Sequence, residues 1–97
     1  MAQLIHEFPG LLVDAEGRDW LVRVKGESNG DGCWAGWLEF LPLHGGPRVA
    51  TNVETLQSDR MALTHWALGL EREDWASALE RATTEERTRL SHPVSLR

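Results

Sequence analysis

The sequence predicts an α+β fold, a four-stranded antiparallel β-meander followed by two C-terminal helices packed on one face of the sheet. Three observations carry that expectation. Apolar and polar residues alternate with period two through residues 11–55. The links between the alternating runs are short and mostly glycine-rich, so neighbouring strands should pair antiparallel. From Ser58 onward the apolar spacing becomes that of a helix.

"GLLVDAEGRDWLVRVKGE" reads as a β-hairpin. Leu11, Val13 and Ala15 alternate with Leu12 and Asp14, and "AEGR" supplies a tight turn in which Gly17 is free to take a positive φ. On the second arm Trp20, Val22 and Val24 alternate with Leu21, Arg23 and Lys25. "SNGDGC" is a turn; it lacks the lysine and the following helix that phosphate-cradling loops use. "WAGWLEFLPL" is the third strand, with Trp34, Gly36, Leu38 and Phe40 on one face and Ala35, Trp37, Glu39 and Leu41 on the other. Gly36 among large side chains marks a bulge or a close backbone approach, and Pro42 marks a strand end or an edge. After "HGGPR", "VATNVET" is the fourth strand. The same strands are also compatible with curling into a partly open SH3-like barrel. The uncovered face should carry Arg23, Lys25, Glu39, Asn52 and Glu54, with Trp37 among them.

Ser58 is the expected N-cap of a first helix over about residues 58–69, with Asp59 at its positive end. Ala62, Leu63, Trp66 and Leu70 form its core face and Gly69 stops it. A second helix over about residues 72–83 presents Trp75, Ala78, Leu79 and Ala82. Residues from about 85 to 97 are polar and expected to fray. Residues 1–97 make a single domain.

The net charge is −5, and the ten basic residues are scattered, which opposes nucleic-acid binding. No apolar run is long enough for a membrane span. Cys33 is the only cysteine, so no internal disulfide forms. With no basic leader at the N-terminus, the expectation is a cytoplasmic protein. His6, His44, His65, His92 and Cys33 show no metal-ligand spacing, and no nucleotide, GxSxG or paired-carboxylate motif occurs. No catalytic residue, metal or cofactor is assigned.

Three groups remain as candidate sites. Glu54, Gln57 and Arg60 form a polar cluster where the fourth strand meets the first helix. It reads either as a ligand pocket or, preferably, as a structural clamp in which Arg60 pairs with Glu54. Met61, His65 and Leu68 give the first helix a second stripe, expected to pack against the second helix or a second copy of the chain. Trp37 and Glu39 lie on the outer face of the sheet, where Trp37 is either an exposed contact residue or covered by the sheet's own curl. Together these favour a non-enzymatic protein-interaction or self-association module, binding a protein partner or itself as a homodimer. The alternative is a small-ligand-binding protein or enzyme with its pocket at the strand–helix corner.

The stretch "GWLEF" at residues 36–40, followed by Glu54, Thr55, Gln57, Arg60, Leu63, Trp66, Ala67, Gly69, Leu70 and Glu71, resembles a family of small uncharacterised bacterial proteins. The resemblance covers about two thirds of the chain and implies the same strand-then-helix order. Leu56, Ser58, His65, Arg72 and Trp75 depart from the family pattern, which has Thr, Pro, Tyr, Pro and Tyr there. Serine and proline both suit a helix start, so that change preserves the element. No activity is implied.

Overall fold

A computed structural model describes the chain from Met1 to Ser91, with side chains as far as Glu85. The elements are β1 (Gln3–Val13), β2 (Asp19–Ser28), β3 (Trp34–Pro42), β4 (Val49–Ala50), β5 (Thr55–Gln57), α1 (Arg60–Leu68) and α2 (Arg72–Ser91). The strands form an open antiparallel sheet in the order β1-β2-β3-β4, with β5 also on β3, and it does not close into a barrel. Both helices pack on one face of it.

The first strand is longer than the sequence suggests. It begins at Gln3, not near Leu11, and reaches Val13 through register shifts between Leu4 and His6 and between Glu7 and Leu11. Those shifts break the period-two signal. Pro9 and Gly10 sit in the second shift, a place where the pairing ladder is already interrupted. Arg72, at the start of α2, reaches over Gly10 and donates to the Leu11 carbonyl. Its guanidinium also lies 5.2 Å above the Trp75 ring.

The hairpin turn forms as its residues dictate. Gly17 has φ +80°, and the Asp14 amide donates to the Arg18 carbonyl at 2.9 Å. The Asp14 carboxylate accepts from the Trp20 indole at 3.0 Å and from the Arg18 and Glu16 amides at 2.9 Å each. β2 and β3 then pair without interruption from Trp20↔Pro42 to Ser28↔Trp34.

The expected fourth strand is broken in two. Val49–Ala50 pairs with Phe40 and Glu39, whereas Thr55–Gln57 pairs with Gly36, Ala35 and Trp34. Between them Thr51 is buried and its hydroxyl accepts from the Leu38 amide at 3.0 Å. Asn52 and Glu54 turn toward α2 and leave the uncovered face: Asn52 donates to Glu85 at 3.0 Å, and Arg81 lies 2.7 Å from Glu54.

Phe8, Leu12, Trp20, Val22, Val24, Leu38 and Phe40 form the sheet's contribution to the core, met by Ala67, Trp75, Ala78 and Leu79. Gly26 and Gly36 are cross-strand partners, and Leu63 of α1 seats on the pair. A Cβ at Gly26 would lie 2.5 Å from a Leu63 methyl, and one at Gly36 closer still. Of the two roles open to Gly36, close approach is the one observed. The N-cap of α1 is Asp59 rather than Ser58; its carboxylate accepts from the Ala62 amide at 2.7 Å. The stripe Trp75, Ala78, Leu79 and Ala82 is buried as its spacing requires. α2 continues to Ser91, past the expected end near Thr83, and the rest of the expected frayed tail lies outside the described residues.

Candidate functional site

The sheet face opposite the helices is built in rows across β1, β2 and β3, because cross-strand partners point the same way. One row is Leu11, Leu21 and Leu41. The next is Glu7, Arg23 and Glu39, with Ala50 of β4 beside Glu39. The third is Leu4, Lys25 and Trp37, and a fourth joins Ala35 to Leu56 of β5. Leu4 is 48% exposed and Leu56 65%. Trp37 is half-buried among these neighbours, between the two alternatives its sequence left open.

The charged row forms a chain of ion pairs. The Arg23 Nε donates to the Glu7 carboxylate at 2.9 Å, and the Arg23 guanidinium stands 3.9 Å from Glu39 Oε1. Arg48, from the loop before β4, donates to Glu39 Oε2 at 3.0 Å. Across the sheet the signs therefore alternate: Glu7, Arg23, Glu39, Arg48. Glu39 is only 7% exposed because both arginines and its own strand cover it, although it belongs to the open face. Its Oε1 has no hydrogen-bond partner.

The polar cluster at the strand–helix corner does not assemble. Glu54 pairs with Arg81 of α2 and not with Arg60. Arg60 points to β1, where it donates to Gln3 Oε1 at 3.4 Å and to the Leu4 carbonyl at 3.3 Å. Gln57 donates to the Thr55 hydroxyl at 2.6 Å. The break between β4 and β5 explains the divergence: it turns Glu54 toward α2, and α1 starts over β1. Gln57 does meet Met61 and His65 in a shallow groove that also includes Asp59, Ala62 and Trp66.

The second stripe of α1 is left bare. Met61 is 74% exposed, Leu68 59%, and His65 is exposed, so α2 does not cover them as one expectation had it. α2 packs beside α1 on the same sheet face, against β4, β1 and β3.

A cleft of about 400 Å³, which no sequence pattern signals, lies between the β1–β2 turn and α2, lined among others by Leu12, Asp14, Arg18, Leu79, Glu80 and Thr83. On the turn side of the cleft, Arg18 pairs with Asp14 at 2.9 Å and with Glu16 at 2.7 Å. Asp14 is held well below the usual carboxylate range, first by the Trp20 indole, then by the Arg18 amide, with partial burial opposing and the Glu16 amide and Arg18 side chain adding to the effect. Among the described residues no group of His, Cys, Asp and Glu is placed to hold a metal ion, and no helix is long and apolar enough to cross a membrane. No protein-family description, curated protein or solved structure matches the chain.

Proposed function

We propose that the chain is a non-enzymatic interaction module of the bacterial cytoplasm that uses the uncovered sheet face, centred on Trp37 and Glu39, to contact protein. It would belong with the small bacterial proteins that share its "GWLEF" strand and its strand-to-helix segment. The observation that carries the reading is the composition of that face. A band of leucines on one side, and Leu4 and Trp37 with Lys25 between them on the other, flank a row of charges, over a sheet whose other side is already filled by helices. An exposed apolar surface of this kind, with polar groups set in it, is characteristic of contact surfaces. A single cysteine suits a reducing compartment. The alternative, a pocket shared by Glu54, Gln57 and Arg60, is less favoured because the three side chains bond to different partners.

Site-specific photocrosslinking in living cells tests this. A photoreactive residue at Leu11, on the open face, should give protein adducts, and the same residue at Glu73, on the solvent side of α2, should give none. Equal yields from the two positions, or none from Leu11, would remove the reading.

A further inference from the structure

The open face carries a charge order that selects its own partner. Across the strands the row reads Glu7, Arg23, Glu39, Arg48, which is minus, plus, minus, plus. Reversed, it becomes its own complement. We infer that this face is the interface of a homodimer in which two sheets stack about a twofold axis parallel to the strands and passing between β2 and β3. The inference rests on the reading of the face as a protein-contact surface and names the occupant as a second copy of this chain.

The geometry follows from symmetry alone. Such an axis exchanges the two halves of the sheet and keeps each row at its height along the strands. Glu7 of one copy then lies over Arg48 of the other, and Arg23 over Glu39. In the neighbouring rows Leu21 lies over Leu41 and Lys25 over the ring of Trp37, where a cation–π contact becomes available. The other face-to-face twofold, perpendicular to the strands, would put β1 over β1 and stack Glu7 on Glu7 and Arg23 on Arg23. The charges therefore favour one arrangement and oppose the other. It is an aligned sheet-on-sheet packing, the arrangement of β-sandwiches.

The area is sufficient. Three strands of some nine residues and the short β4 and β5 segments beside them give a patch of about 500 Å² per copy and about 1,000 Å² in all, the size a biological interface must reach. The flanking apolar rows supply the desolvated surface that the ladder alone lacks.

Complementary charge reversal at the two exposed ends of the ladder is the test. The side chains of Glu7 and Arg48 are 43% and 63% exposed, so changing them leaves the core alone. Sedimentation velocity of the wild-type chain over roughly 10–300 µM, spanning micromolar dissociation constants, should show a monomer–dimer equilibrium. Glu7→Arg places two positive charges together at each end of the dimer, and Arg48→Glu places two negative charges there. Each variant alone should self-associate about tenfold more weakly or not at all. Mixed one to one, the two restore every opposite pairing and should form a heterodimer. Circular dichroism confirms that each variant is folded. Lys25→Glu, which takes the cation off the Trp37 ring of the second copy and leaves the charge ladder of its own chain intact, gives an independent loss if either end variant fails to fold. A wild-type chain that stays monomeric throughout, or folded end variants that do not pair when mixed, would overturn the dimer. Adducts from Leu11 to a different protein, with a monomeric wild type, would overturn the dimer and leave the contact-surface reading standing.

Discussion

At the scale of single residues, two small groups make separable contributions to the fold. Gly26 and Gly36 face each other across β2 and β3 and leave the notch that Leu63 fills. Gly36→Ala should lower stability by about 1–3 kcal/mol through overpacking. The cost should shrink in a Leu63→Ala background, because the obstructing methyl is gone; a double-mutant cycle by urea denaturation reads both. Asp14 is the second small group. Its carboxyl titrates below its ordinary value of 3.8 in the folded chain, so the ionised form adds stability that is complete above that value. As pH falls from there toward the depressed folded value, that contribution is lost. Asp14→Asn should therefore melt below wild type at pH 6, with the gap closing toward pH 2. The special status of Gly36 was legible from its aromatic neighbours. The partner of Arg60 was not, because the segment offers Glu54 only six residues away, whereas its actual acceptors, Gln3 and Leu4, come from the far end of the chain.

At the scale of elements, strands and helices were legible wherever one period runs unbroken. β2, β3 and the buried stripe of α2 follow their patterns residue by residue. β1 was half hidden because the shift between Leu4 and His6 changes which parity faces the core and the one between Glu7 and Leu11 inserts two unpaired residues, so its N-terminal half shows no continuous alternation. For the same reason the charge ladder was only partly readable. Arg23 and Glu39 were placed on the outer face, but Glu7 joins them only through a register set by those shifts. The fourth strand breaks where Thr51 uses its hydroxyl to satisfy the Leu38 amide, a local competition that alternation does not reveal. At the start of α1 both Ser58 and Asp59 are competent caps, and the backbone gives the role to Asp59. Asp59→Ala should cost about 1 kcal/mol in thermal or chemical melts, whereas Ser58→Ala should cost little, as a surface change away from the cap.

At the scale of the whole molecule, the core is completed only when the last element docks. Trp75, Ala78, Leu79 and Ala82 all come from α2, against a sheet face that would otherwise expose Phe8, Leu12 and Phe40. A chain ended at Glu71 should therefore show no cooperative thermal transition, where the full chain shows one. The arginines that tie both helices to the first strand have a wider effect. Arg60 and Arg72 each occupy a β1 carbonyl, at Leu4 and Leu11, and Pro9 between them has no amide proton to offer. The opposite margin of the sheet is cut into pieces of two and three residues. Neither border gives a stranger's backbone a long, straight template to zip onto, so the molecule is guarded against fibrous growth by strand addition.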